Sequence, residues 1–370
     1  MPGEAVEGAG FGGRPLARDF DGDGYTDLAV TVNKKKASDN DAEDERGLIM
    51  LFGSSEGIGE GAPATYVKDV PGDLEYGQTA AGDFDGDGKA DLVLGVEHEK
   101  GLLKGPFSRE GQPARTAAVP TPDVPERMDV MDVIAGDLNG DGIDDLVSLH
   151  QYEDALTYDE PELGHFMAGG KEGFTQGGEV FAGGDTATVG DVDNDGYGDL
   201  VLGELPGHGQ DNDPGGTVTV LHGDPKGPGR AEARSIRIDQ DTKGVPGEKK
   251  GKYEAFGSSL AAGDVNGDGY ADIAVGDFGD DARDVGSAGT IIVLRGGEDG
   301  LTGSRAQSVD AGPERNTDEV GWSDAVDSLL ELFDANGDGK SDLAVPRSDA
   351  RESAIWLLPG SDDGITGKVP

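Results

Sequence analysis

One nine-residue pattern, Asp-x-Asp/Asn-x-Asp-Gly-x-x-Asp, returns six times within 370 residues. The copies are DFDGDGYTD (Asp19 to Asp27), DFDGDGKAD (Asp83 to Asp91), DLNGDGIDD (Asp137 to Asp145), DVDNDGYGD (Asp191 to Asp199), DVNGDGYAD (Asp264 to Asp272) and DANGDGKSD (Asp334 to Asp342). Regular repetition of this kind confines a chain to an array of one supersecondary unit, where length alone would allow two or three ordinary domains. The pattern is also a ligand set. Oxygen donors at alternate positions, with a Gly permitting a sharp turn, suit a hard cation such as Ca²⁺ rather than zinc or a redox metal.

Each repeat reads as a small antiparallel sheet. In the fifth, FGSSLAAGD (Phe256 to Asp264) is a strand entering the acidic loop, ADIAVGD a second, GTIIVLRGG (Gly289 to Gly297) a third, and Arg305 to Asp310 a short outer fourth. Short apolar-alternating runs bounded by Gly, Asp and Pro carry this signal. The 65 glycines follow no three-residue period and mark turns. Only 34% of residues are hydrophobic, which suits small cores between stacked sheets better than one large core. DAVDSLLELF (Asp324 to Phe333) is the one run with ambiguous periodicity. The expected class is all-β.

An EF-hand would require Glu at position twelve and flanking helices. Position twelve here is Val30, Leu94, Ser148, Leu202, Val275 or Val345, so that alternative is excluded.

FGSSLAAGDVNGDGYADIAVG and YGQTAAGDFDGDGKADLVLG resemble FG-GAP repeats, the units of the integrin α-chain β-propeller and its bacterial relatives. The resemblance covers nearly the whole chain. It implies a β-propeller of four-stranded antiparallel blades, with Ca²⁺ in the loop between first and second strands. Six blades are expected, or seven if the native chain is longer. The blades fall at about 11–75, 76–127, 128–182, 183–255, 256–320 and 321–370 of one domain, with residues 1–10 closing the ring through Glu4 to Gly8. By the same resemblance the ligands are the side chains at positions one, three, five and nine and the carbonyl at position seven. These are Asp19, Asp21, Asp23, Tyr25 and Asp27; Asp83, Asp85, Asp87, Lys89 and Asp91; Asp137, Asn139, Asp141, Ile143 and Asp145. They continue with Asp191, Asp193, Asp195, Tyr197 and Asp199; Asp264, Asn266, Asp268, Tyr270 and Asp272; Asp334, Asn336, Asp338, Lys340 and Asp342. Asn at position three lowers site charge and predicts weaker affinity in the third, fifth and sixth loops.

The formal net charge is −45, and six Ca²⁺ ions would bring it only to about −33. Such acidity disfavours nucleic acid and anionic membranes as partners and favours a soluble monomer. There is no Cys, so disulfides and thiol chemistry are excluded. No apolar run approaches the roughly 20 residues of a membrane span. The first residues carry no signal-peptide pattern. Sites of this kind suit calcium-rich surroundings, so a secreted or extracellular protein is expected.

Strand alternation puts the acidic loops on one face and the second-to-third connections on the other, where long dissimilar segments accumulate. Position fourteen of each repeat reaches that second face: Val32, Val96, His150, Glu204, Asp277 and Arg347, with His98 and His208 just beyond. His150, Glu204, Asp277, Arg347, His98 and His208 are the candidate ligand-face residues. The partner expected there is a protein, a glycan or a small molecule. An enzyme on the same scaffold, a polysaccharide lyase or hydrolase for instance, would place its base at His150 or His98 and its anion-stabilising cation at Arg347. A spacer module in a larger assembly is the third reading. His165 and His222 fall in or near third strands and read as packing or surface residues.

Overall fold

The structure, a computed structural model, describes residues 11–33, 46–58, 64–68, 70, 79–95, 101–125, 128–152, 162–175, 180–205, 215–229, 234–247, 255–277, 290–310, 330–348 and 353–367. Residues 4–8, expected to close the ring, and His98 and His208 lie outside them. Of the run at 324–333, only its last four residues are described; Glu331–Phe333 is strand, which settles its periodicity there in favour of β.

Every described regular element is a strand, and they form six antiparallel sheets in chain order. The first is β1 (Phe11–Arg18), β2 (Asp27–Asn33), β3 (Arg46–Leu51) and β4 (Thr65–Tyr66). The second is β5 (Thr79–Gly82), β6 (Asp91–Leu94), β7 (Leu102–Lys104) and β8 (Arg115–Ala117). The third is β9 (Met128–Gly136), β10 (Asp145–Tyr152), β11 (Leu163–Met167) and β12 (Val180–Ala182). These three sheets make up most of one compact unit.

The second compact unit holds the other three. They are β13 (Thr186–Gly190), β14 (Asp199–Glu204), β15 (Thr217–Leu221) and β16 (Ser235–Ile238); β17 (Phe256–Gly263), β18 (Asp272–Asp277), β19 (Thr290–Arg295) and β20 (Thr302–Asp310); and β21 (Glu331–Phe333), β22 (Asp342–Ser348) and β23 (Ser353–Leu358). The last sheet has three strands among the described residues. β20 is longer than the short outer strand expected at 305–310.

The period-two alternation distributes each middle strand between two small cores. On β6, Leu92 and Leu94 join Phe20, Met50 and Phe52 of the first blade, whereas Val93 turns the other way toward Leu146 and Met167 of the third. In the second unit, Ile273 and Val275 pack against Val201 and Val218, and Ala274 packs against Leu343 and Val345. A side chain on either face of β6 or β18 therefore meets a neighbouring blade rather than water. This is why the strands read as nearly continuous apolar runs, and why a modest hydrophobic content suffices.

Candidate metal loops and the opposite face

The acidic loops fold around the position-one carboxylate. Asp19 accepts backbone N–H groups from Gly22 (2.8 Å), Asp23 (3.1 Å) and Gly24 (2.9 Å). Asp264 and Asp334 accept the corresponding three. Those donors hold the Asp334 carboxyl below its ordinary range. Position five in turn accepts the N–H of position seven in all six loops, at 2.9–3.2 Å. Wrapping the chain this tightly needs two residues with positive φ. One is the Gly at position six. The other is position four, Gly in five loops and Asn194 in the fourth. The position-four requirement is visible in the sequence as a Gly in five of the six loops.

Position nine does different work. Asp27 accepts from Phe20 N (2.9 Å), Asp21 N (3.2 Å) and, across the sheet, Gly53 N (2.7 Å). The bond to a Gly just after the third strand recurs from Asp91 to Gly105, Asp145 to Gly169, Asp199 to Gly223, Asp272 to Gly296 and Asp342 to Gly360. All six position-nine carboxyls are essentially fully buried. Burial, first of all, pushes Asp91 up to about 7, and the neighbouring charges of Asp85 and Asp87 push the same way. A Cβ on any of the six glycines would overlap the carbonyl oxygen of position eight of the same loop. The clamp Gly follows the third strand at a variable distance from the motif, so no fixed spacing revealed it.

The loops also join consecutive blades within each unit. Asp144 N donates to Asp83 O (3.0 Å) and Gly170 N to Phe84 O (2.9 Å); Ala271 N donates to Asp191 O (2.9 Å) and Gly297 N to Val192 O (2.9 Å). Ser341 N to Asp264 O (2.7 Å) and Ser361 N to Val265 O (3.1 Å) repeat the pair.

The donor chemistry of the loops fits a hard divalent ion. Ligand oxygens of Asp19, Asp21 and Asp27 lie within 4.8 Å of one another, as do those of Asp83, Asp85 and Asp91, and of Asp191, Asp193 and Asp195. Burial and like charges raise the Asp21 and Asp193 carboxyls, so a cation is favoured at both. Among the described residues, four loops meet a cationic or imidazole side chain. Arg109 reaches Asp21 and Asp23, both at 2.6 Å, and Lys104 Nζ reaches Asp85 at 3.0 Å. Arg295 reaches Asp272 at 2.9 Å. His222 Nδ1 lies 3.0 Å from Asp199 and 3.3 Å from Asp193, which Arg234 also contacts. His222 is thus neither a surface nor a simple packing residue: it is tied to the fourth loop, and the Asp199 hydrogen bond raises its pKa.

The position-fourteen residues occupy different blades, and within the second unit Glu204 and Asp277 bond to separate partners. His150 is buried and bonded to Ser148 Oγ (2.8 Å). Glu204 accepts from Thr219 (2.8 Å) and pairs with Arg237 (3.2 Å). Asp277 accepts from Gln240 (2.6 Å). Arg347 is paired with Ala354 in the β22–β23 register. Near Glu204, half-buried Glu162 is pushed up to about 7, first by burial and then by Asp185, whose carboxyl is raised too. This carboxyl pair was not anticipated.

The blades and their loops define an all-β protein of the six-bladed β-propeller class. Its repeats are FG-GAP repeats: residues 256–294 match the FG-GAP repeat family and residues 19–94 the FG-GAP-like repeat family. Integrin alpha-PS2 of Drosophila melanogaster is 28% identical over 218 residues, covering 54% of this chain and 15% of that protein. Phosphatidylinositol-glycan-specific phospholipase D of Mus musculus is 32% identical over 167 residues, covering 43% of this chain and 17% of that protein. The chain thus spans under a fifth of either relative's length. Among solved structures, Bacillus licheniformis rhamnogalacturonan lyase PL11 aligns at 12% identity with a TM-score of 0.37, over 95% of this chain and 59% of that one. No helix among the described residues is long and apolar enough to cross a membrane.

Proposed function

We propose that this chain is a secreted, calcium-binding FG-GAP propeller that recognises a protein or glycan partner through the face opposite its acidic loops. Calcium is structural in this reading. One observation carries it: the loops share one geometry and hydrogen-bond consecutive blades together, so an ion bound there fixes blade to blade and binding couples to folding. The opposite face is where the blades differ, with Glu204 and Asp277 at the position that His150 and Arg347 hold in other blades. Variation borne on a uniform scaffold is the usual arrangement of a recognition surface. The enzyme reading has weaker support, because His150 is buried and its pKa is lowered to about 4, chiefly by burial.

Calcium titration by calorimetry, with melting in excess Ca²⁺ and in chelator, tests the metal half. The proposal expects saturable binding and a melt lowered by chelation; an identical melt in both, with metal shown absent, refutes it. Glycan and protein arrays probed with the wild type, Glu204→Ala and Asp23→Asn test the other half. Loss of a calcium-saturated signal in Glu204→Ala alone is expected. Loss in Asp23→Asn alone would move recognition to the loop face.

A further inference from the structure

In three blades the residue just before the clamp glycine turns back onto the acidic loop of its own blade. In chain order that residue is Phe52, Lys104, Ala168, His222, Arg295 and Pro359. Lys104 reaches Asp85, Arg295 reaches Asp272, and His222 reaches both Asp193 and Asp199. Lysine and arginine bring a positive charge and no lone pair, so they neutralise a loop but do not ligate an ion. A neutral imidazole does the opposite: it carries no charge and offers a nitrogen lone pair. The fourth blade thus has a donor that the other five do not place at this position.

The side chains of His222, Asp193 and Asp199 are buried together, at 3%, 2% and 0% exposure. One ligand atom from each lies within 4.8 Å of the other two. His222 Nδ1 stands 3.0 Å from Asp199 Oδ1 and 3.3 Å from Asp193 Oδ2. Metal–ligand bonds of about 2.0–2.2 Å set tetrahedral ligand–ligand edges of roughly 3.3–3.6 Å, so these atoms need only separate slightly to face one small ion. Asp199 is held from outside by Val192 N (2.9 Å) and Gly223 N (3.0 Å), the kind of hydrogen-bonded outer shell that orients a ligating carboxylate. Asp193 Oδ1, in contrast, is buried with no hydrogen-bond partner. A buried carboxylate oxygen without a donor calls for a cation. Arg234 touches Asp193 from the surface, but its side chain is 46% exposed and can swing into water when an ion takes its place.

We propose that Asp193, Asp199 and His222 form a mixed nitrogen–oxygen site, which gives the fourth loop a divalent transition ion of the Zn²⁺ type where the other loops take Ca²⁺. The inference rests on the reading of that loop as a cation site. Asp193 also belongs to an all-oxygen set with Asp191 and Asp195, of which Asp195 is exposed. The imidazole sits with the buried set, and a nitrogen donor turns the preference from Ca²⁺ to a borderline ion. On binding, Nδ1 gives up its hydrogen bond to Asp199 and turns its lone pair to the ion. The neutral ring then carries its proton on Nε2, beside Gly300, where a Cβ would stand 3.1 Å away. Three protein ligands leave the fourth position to water.

The test uses the full chain in excess Ca²⁺, so that the oxygen-only loops are occupied. Co²⁺ is added and its ligand-field absorption followed, with Zn²⁺ as competitor. The expected result is one equivalent of Co²⁺, whose band Zn²⁺ abolishes. His222→Ala, which takes the side chain of Ala168 in the third blade, should weaken binding at least ~100-fold. His222→Asn keeps an N–H donor where Nδ1 stands but lacks the imidazole lone pair. It should melt like the wild type without Zn²⁺ and lose the rise in melting temperature that Zn²⁺ gives the wild type. Should both variants fail to fold, imidazole nitrogen NMR of the wild type decides: Zn²⁺ must shift one of the five histidines, at its Nδ1. Saturable calcium binding without a Co²⁺ band, a band or a Zn²⁺-induced rise unchanged in both variants, or unshifted imidazoles would overturn the proposal. A Co²⁺ band in a chain that takes up no calcium would instead keep this site and refute the calcium reading of the other loops.

Discussion

Gly53 donates its backbone N–H to Asp27 Oδ1 at 2.7 Å across 26 residues of sequence, and the same clamp closes all six blades. Asp27 meanwhile holds the loop entrance through Phe20 N and Asp21 N, so one buried carboxylate fixes three chain segments. Because these bonds run to the chain itself, Asp27→Asn should destabilise the protein with or without calcium. Turning an amide NH₂ toward converging N–H donors leaves buried groups unpaired, a loss of about 2–4 kcal/mol. Chemical denaturation in excess Ca²⁺ and in chelator checks this. A variant that loses stability only in Ca²⁺ would make position nine solely a metal ligand.

The glycine half of the clamp is independently testable. Gly53→Ala pushes a methyl into Thr26 O, a backbone atom that cannot swing aside. Overpacking of this kind costs typically 1–3 kcal/mol. Gly297→Ala, one residue past the clamp of the fifth blade with nothing within 4 Å, is the control and should melt close to wild type. Equal melting temperatures for the two variants would show that the close approach relaxes freely.

The acidic loops differ in what already neutralises them. Lys104, 5% exposed, reaches Asp85 at 3.0 Å in the second loop and also donates to Lys171 O at 2.9 Å. Among the described residues no cationic side chain reaches Asp334 or Asp338 of the sixth loop. Calcium should therefore bind the sixth loop more tightly than its Asn336 alone suggests. Lys104→Met should lower the melting temperature in chelator and widen the gap between calcium-loaded and chelated protein. The comparison is a pair of melting curves for each variant. A gap no wider in Lys104→Met than in wild type counts against competition between the lysine and the ion.

Much of this was legible in the sequence because the motif couples fold to chemistry. Position-one and position-five Asp and the position-six Gly announced the loop geometry, and β17, β18 and β19 fell where the apolar alternation put them. What escaped notice had no fixed spacing. Gly53 and Gly105 lie at different distances from their motifs because the second-to-third connections vary in length. Arg109, which serves the first loop, is contributed by the second blade, and Glu162 meets Asp185 only through folding. His222 follows the same logic: just after the third strand β15 it resembles a packing or surface residue until the Asp199 carboxylate is placed beside it. Position four went unused since Asn194 hid a rule that Gly states plainly in the other five loops.

The Glu162–Asp185 pair sets an unusual pH dependence. Most carboxylates in folded proteins have lowered pKa values and stabilise as pH rises; here both are raised, Glu162 from an ordinary 4.5 to about 7. Between those values the folded chain keeps a proton that the unfolded chain releases. This contribution is therefore fully present below about pH 4.5 and disappears as pH climbs through 7. Glu162→Gln mimics the protonated form, so it should remove that slope while keeping the hydrogen bond to Asp185. Between pH 5 and 7.5 the wild type should lose on the order of 1 kcal/mol more than Glu162→Gln, read from urea midpoints. Calcium is held in excess throughout, so that the loop carboxylates, Asp91 included, stay ionised and silent. Parallel pH profiles for the two proteins would mean that Glu162 and Asp185 do not share a proton.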